Sequence, residues 1–390
     1  MNLKKYFWVS LPDGMEDRET VVGLQMFLKL FHALPSDLLD CVFGKLFYFK
    51  LLRFWTSLQW LCNYDKPKDI EIRQVVVGGV PCTLYLPLGQ LRQSDTCIIF
   101  SHGGGYALLH PYNYELMSVN HVRKIGCAIL SIDYTLAPTK IYPGQLNEVM
   151  AVILDFHEDK ALEWGLSPLD ITLFGDSAGA NLVTVACNKL NKQGKGHLIK
   201  NQILIYPTTS GTDFLSPSYL KFYEQYSDHV LVTPEMKATM YLLYFGLEIT
   251  NERVEKMLYN EHVPEELRKL EDLCHDKIPE ELWSDIKIKR IARPVDNELV
   301  EVFKPFLYDP EIFPIMEKDE ILRKCPRTWI VTADFDMVRD EGIFYHKKLQ
   351  KLGVNSQWTH YKGTSHGFLS LPSVSAVAFA DHLETFIKNQ

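Results

Sequence analysis

The chain has 390 residues, 46% of them hydrophobic and 23% charged, with a mean hydropathy of −0.09. That composition excludes a disordered chain, a collagen-like fibre and a polytopic membrane protein. Its 41 basic against 49 acidic side chains leave a net charge of −8, which argues against nucleic acid as a partner, since a binder needs a basic face to displace counterions.

Residues 1–65 read as helical and amphipathic. The first eight residues open with charge, and Pro12, Asp13 and Gly14 follow too soon for a signal-peptide core. Between Cys41 and Cys62 the chain is dense in Phe, Leu, Tyr and Trp. At 3.6 residues per turn Lys45, Lys50 and Arg53 fall on a limited arc and leave a wide apolar face. Such a helix either lies on a membrane surface, a peripheral contact, or packs against the rest of the protein over a pocket.

From Ile70 the pattern changes. Residues 72–77, the pair Gly78-Gly79 and residues 82–86 read as a β-hairpin. Short apolar strands follow at 97–101, 128–132, 171–174, 203–206 and 328–332, alternating with helices that include 114–124, 146–158 and 178–190. Near-continuous apolar strands interleaved with helices predict an α/β fold, with a mostly parallel central sheet covered on both faces. Residues 211–304 are rich in charge and helix formers, and too long for a connecting loop, so they read as a helical insertion. A last helix is expected near 373–388. The chain then divides into an N-terminal helical segment at 1–65, a core at 66–210 and 305–390, and the insertion.

None of the eight cysteines forms a C-x-x-C pair or a zinc spacing, so they read as small buried hydrophobes, and no metal or other cofactor is expected. No apolar run reaches the ~18 residues of a membrane span. None of the 14 asparagines sits in an N-x-[ST] acceptor, which speaks against a secreted or lumenal life.

Three sites, each just after a predicted strand, carry chemistry. Gly175-Asp176-Ser177-Ala178-Gly179 is a G-x-S-x-G sequence between strand and helix. Its glycines permit a sharp turn that lifts the Ser177 hydroxyl above the sheet, where the next helix aims unsatisfied N–H groups. His102-Gly103-Gly104-Gly105 follows the strand at 97–101. The backbone N–H groups of Gly103, Gly104 or Gly105, with that of Ala178, are placed to hold an oxyanion, and losing one such donor costs about 10²–10³ in rate. His102 reads as a brace for this loop. Near the C-terminus Asp334, Asp336 and Asp340 are all candidates by position for a carboxylate partner, and His366 lies in a glycine-flanked loop further on. A neutral imidazole takes the serine proton, and a carboxylate fixes its tautomer. The order Ser…Asp…His is that of an α/β-hydrolase.

With these residues in view, the chain resembles the hormone-sensitive-lipase branch of the α/β-hydrolases, and within it the arylacetamide deacetylase-like esterases. The resemblance rests on His102 to Gly105, on Asp133-Tyr134-Thr135-Leu136-Ala137-Pro138, on Gly175 to Gly179, on Asp336-Met337-Val338-Arg339-Asp340 and on His366-Gly367-Phe368. It covers the chain from about Ile70 onward. It implies a serine carboxylic-ester hydrolase acting on a small acyl ester, with Ser177, His366 and Asp336 as its triad and Asp340 and Arg339 as supports. It implies that the N-terminal helices and the insertion form a helical cap, with Phe47, Phe54 and Trp55 lining the site or filling the cap's own core. Thr135 and Thr139 replace the Arg and Glu of many members, so a surface ion pair is expected to be missing. Ala107 and Ala333 stand where related deacetylases carry cysteines, as if a disulfide were lost as a pair. The resemblance also implies the endoplasmic reticulum membrane, whereas no anchor is evident in the sequence. A ligand-binding protein without catalysis, on the same fold, is the alternative.

Overall fold

The computed structural model describes residues 11–16, 18–32, 45–57, 66–227, 232–371 and 373–389, without the side chains of 27–32, 45, 46 and 48. Its frame is one eight-stranded sheet: β1 (Ile70–Val77), β2 (Val80–Pro87), β3 (Cys97–Ser101), β4 (Ala128–Ile132), β5 (Ile171–Asp176), β6 (Ile199–Ile205), β7 (Arg327–Phe335) and β8 (Ser356–Ser365). The spatial order is β1-β2-β4-β3-β5-β6-β7-β8. β1 and β2 are antiparallel, joined through Gly78 and Gly79 at φ 58 and 76, the left-handed pair that a two-residue hairpin turn requires. β2 runs antiparallel to β4, and every later pairing is parallel.

Every residue of β3, β4 and β5 is buried, because helices cover both faces. In chain order the longer helices are α1 (Arg18–His32), α2 (Lys45–Ser57), α3 (Glu115–Ile125), α4 (Gly144–Asp155), α5 (Ala178–Lys192), α6 (Pro217–Gln225), α7 (Pro234–Phe245), α8 (Asn251–Leu258), α9 (Asn297–Leu307), α10 (Arg339–Lys351) and α11 (Val374–Lys388). α3 packs with α11, and α4 with α5.

Two strands depart most from their sequence reading. β6 begins four residues earlier than its apolar run, because the buried Asn201 and Gln202 donate across the sheet to Thr172 Oγ1 at 3.2 Å and Thr328 Oγ1 at 2.8 Å. Cross-strand partners make polar residues tolerable in a sheet interior. β8 has no counterpart among the expected strands. It is an edge strand, and its exposed Gln357 and Lys362, with Ser, Thr and His at the positions around them, interrupt the apolar pattern that marks a central one.

The segment 211–304 carries α6, α7, α8 and most of α9, while 259–296 is built from short turns. Side chains cap these helices as their sequences require: Thr233 accepts from Met236 N–H, Thr250 from Arg253 N–H, and Gly246 ends α7 in the left-handed region. Of the aromatic-rich segment, residues 41–44 and 58–62 lie outside the described ones, and with them Cys41 and Cys62. The other six cysteines are free; four are buried, Cys325 is half-buried and Cys274 is exposed. Among the described residues no helix is long and apolar enough to cross a membrane.

Candidate active site

The sheet register brings the three sequence sites together. Ser101 at the end of β3 pairs with Gly175 of β5, which sets the loop from His102 beside the turn at Ser177. Phe335 of β7 pairs with Ser365 of β8, which sets Asp336 beside His366. β3 and β5 flank the point where successive crossovers run in opposite directions, and ligands of open α/β sheets collect beyond the carboxyl ends there.

Ser177 stands at φ 52, in the strained region expected of a serine on a strand-to-helix elbow. Its N–H donates to Ile205 O at 2.9 Å, and the chain turns at once into α5. Gly179 makes the turn possible: a Cβ there would overlap the Ser101 carbonyl. Ser177 Oγ lies 3.0 Å from His366 Nε2, and His366 Nδ1 lies 2.9 Å from Asp336 Oδ2. Ionised Asp336 only accepts, so Nδ1 carries the proton and Nε2 is left to accept one from the serine. The other Asp336 oxygen accepts the Val338 N–H at 2.9 Å, and the carboxyl group is buried.

The competing acids are engaged elsewhere. Asp334 binds Lys221 Nζ at 2.7 Å and the Gly363 N–H at 3.3 Å, and its pKa lies far below the usual carboxylate range through its bonds to His360 and Lys221, against the opposing effect of burial. Asp340 binds Arg339 and the Ser218 N–H. The support assigned to this turn is therefore ionic, a buried Arg339–Asp340 pair at 2.9 Å.

On the opposite side, Gly103 cannot serve as an oxyanion donor, because its N–H already donates to Asp176 Oδ1 at 2.7 Å. This corrects the sequence reading, which treated the three glycines alike. The N–H groups of Gly104, Gly105 and Ala178 have no protein acceptor among the described residues, and all three residues line the cavity over Ser177. His102 is fully buried and stacks on Tyr134 with ring centroids 4.2 Å apart. Its Nδ1 donates to Gly103 O at 2.8 Å, and burial lowers its pKa to about 4. That is the geometry of a neutral brace.

Asp176, Tyr114 and Tyr206 are residues whose part in the site the sequence did not disclose. Asp176 Oδ2 accepts from Tyr114 OH at 3.0 Å and Tyr206 OH at 3.3 Å. The Tyr206 ring lies 4.4 Å from that of His366, so one carboxylate links the glycine loop to the histidine's neighbour. Burial raises the Asp176 pKa to about 6. Only its place next to Ser177 hinted at a role.

The cavity above Ser177 has a volume of about 230 Å³. Its walls are apolar: Leu108 and Leu109 from the glycine loop, Met236 and Met240 from α7, Leu52 from α2, Leu24 from α1, and Leu371. Phe47, Phe54 and Trp55 are not among the lining residues. Thr135, at the place of the family's Arg, gives its N–H and hydroxyl to the Glu148 carboxylate, which also takes Lys140, so the loop keeps an anionic anchor of different composition. Ala107 and Ala333 are both fully buried.

Fold and site define the class: this is an α/β hydrolase. A sequence profile described as alpha/beta hydrolase fold matches residues 98–274 and 296–370, more than half of the chain, and the chain belongs to that family. Similar proteins include arylacetamide deacetylase of Mus musculus, 27% identical over 95% of this chain and 92% of its own length. Arylacetamide deacetylase-like 2 of Homo sapiens is 26% identical over 94% and 89%. Neutral cholesterol ester hydrolase 1 of Mus musculus is 29% identical over 94% and 90%. Among solved structures, a thermostable esterase from Pseudomonas putida superposes with a TM-score of 0.66 at 21% identity, covering 97% of this chain and 98% of its own.

Proposed function

We propose that the protein is a serine carboxylic-ester hydrolase. One observation carries the reading: Asp336, His366 and Ser177 stand in hydrogen-bonding sequence at 2.9 and 3.0 Å, beneath backbone N–H groups that have no acceptor among the described residues. Ser177 Oγ attacks the ester carbonyl while His366 Nε2 takes its proton, and Asp336 orients and stabilises the imidazolium. The carbonyl oxygen becomes an oxyanion held by the N–H of Ala178 with those of Gly104 and Gly105. Collapse of the tetrahedral intermediate breaks the ester C–O bond, and the alcohol leaves with the proton from His366. Water, deprotonated by the same histidine, then releases the acid and restores Ser177.

The relatives' names, deacetylase and cholesterol ester hydrolase, support esters of small molecules as the substrate class. A cavity of about 230 Å³ lies below the usual ~300–1,000 Å³ of ligand pockets, which favours a compact acyl group. α1, α2 and the segment 211–304 act as the cap, contributing Leu24, Leu52, Met236 and Met240 to the cavity wall. Hydrolysis of p-nitrophenyl esters of graded chain length tests the reading. Ser177→Ala is expected to lose at least about 10⁴ in kcat while remaining folded; turnover that survives it excludes the mechanism. A silent binding protein would show no Ser177-dependent turnover, and paired ester and amide kinetics fix which bond is preferred.

A peripheral membrane contact is a second element of the proposal. Lys50 and Phe54 sit one turn apart on α2 and are exposed, Phe54 to 55%, which supports weak adhesion to an anionic lipid surface. In sedimentation with anionic liposomes, protein left wholly in the supernatant refutes it.

A further inference from the structure

The glycine loop is held in place from outside itself. Between Gly104 and Leu109 four residues take positive φ: Gly104 at 98, Gly105 at 60, Tyr106 at 63 and Leu109 at 68. Two of the four are not glycine, and such a conformation persists only where surroundings over-determine it. The loop's own bonds are few: Ala107 N–H and Leu108 N–H both donate to Gly104 O, at 3.1 and 2.8 Å. The carbonyls of Ala107 and Ala137 belong to fully buried residues, and Ala137 N–H donates to Tyr106 O at 2.8 Å. Both carbonyls are met by a single side chain. Arg53 of α2 donates from Nε to Ala107 O at 2.6 Å and from Nη2 to Ala137 O. Among the described residues no other group donates to either carbonyl.

One turn further along α2, Thr56 O accepts from Asn113 Nδ2 at 3.0 Å. Phe49 and Leu52 of the same helix share a small buried cluster with Ala107, Leu108, Ala137 and Met240, separate from the main core. On the far side α7 closes the grip, since a Cβ on Gly105 would overlap Met240 Sδ. The loop that offers Gly104 and Gly105 N–H is therefore clasped between α2 and α7, and the forked guanidinium is the polar part of the clasp.

We propose that Arg53 is a positioning residue for the oxyanion donors, an inference that rests on the esterase reading above. It touches no reacting atom. It fixes two carbonyls of the loop and its neighbour so that the Gly104 and Gly105 N–H groups stand where charge develops. Half-burial lowers the Arg53 pKa, but a guanidinium stays protonated in proteins. A lysine keeps the charge and loses the fork, so it cannot span both acceptors.

The test compares wild type, Arg53→Lys, Arg53→Ala and Ser177→Ala on a p-nitrophenyl ester, together with Ki for an aliphatic trifluoromethyl ketone, whose serine adduct places an oxyanion in the hole. Arg53→Ala is expected to lower kcat about 10- to 100-fold, with KM within about threefold, and to raise the ketone's Ki in proportion to the loss of kcat/KM. Arg53→Lys falls between, and free guanidinium partly restores Arg53→Ala. A packing role alone lowers thermal stability and leaves kcat and Ki in place at temperatures where the variant is folded. Unchanged kcat and Ki in folded Arg53→Ala overturn the inference; should that variant not fold, the same values in Arg53→Lys decide it. Absence of Ser177-dependent turnover in the wild type would instead remove the esterase reading.

Discussion

Asp176 is a buried carboxylate whose ionisation the fold resists, and the resistance has a measurable size. Its ordinary pKa is near 3.8 and burial raises it to about 6. The folded protein therefore holds this proton more tightly than the unfolded chain, so the stability it confers is present in full below about pH 4 and is lost as pH rises through about 6. At 1.36 kcal/mol per pH unit the loss is about 3 kcal/mol. Asp176→Asn copies the protonated acid: its carbonyl accepts the Gly103 N–H, and its amide faces the oxygens of Tyr114 and Tyr206. Urea unfolding of both proteins at pH 4, 5, 6 and 7 gives the stability difference, variant minus wild type, with other titrating groups cancelling. That difference is expected to climb by about 2 kcal/mol in favour of the variant between pH 4 and 7, the part of the loss that falls in that window. A flat difference, or one that grows toward acid, refutes the reasoning and means the carboxylate is ionised at no cost in its pocket.

Separating the two neighbouring acids is a second check. Asp336→Asn is expected to lower kcat by about 10⁴ with little loss of stability, whereas Asp334→Asn leaves kcat within a few-fold and costs about 2 kcal/mol in denaturation, because Lys221 loses its ion pair. Gly179→Ala is expected to destabilise by at least about 3 kcal/mol in thermal or urea unfolding, since the added methyl overlaps Ser101 O. Met236→Ala enlarges the cavity wall contributed by α7; in a p-nitrophenyl ester series the optimum is expected to move toward acyl chains roughly three carbons longer, the number of heavy atoms removed.

The sequence by itself determined the local chemistry and most of the sheet. Apolar runs at 97–101 and 128–132 become β3 and β4 without change, because a strand buried on both faces has to be apolar throughout. Likewise the Ser177 turn was legible, since its glycines answer to backbone sterics within five residues. Where partners lie far away in the chain, only the tertiary structure decided. β8 hid its identity because an edge strand tolerates polar residues along its length, and its place beside β7 is what carries His366 to Asp336. By position alone three acids were candidates, and only the resemblance pointed to Asp336; packing pairs Asp334 with Lys221, Asp340 with Arg339 and Asp336 with His366. Among three like glycines, the donor already spent, Gly103, was fixed by a carboxylate 73 residues away. Arg53 read as one charge on an amphipathic helix, and its two carbonyl acceptors lie 54 and 84 residues further on. Hydrogen bonds of that reach depend on how the sheet stacks its strands and where the helices close over it, and no local pattern in the chain encodes them.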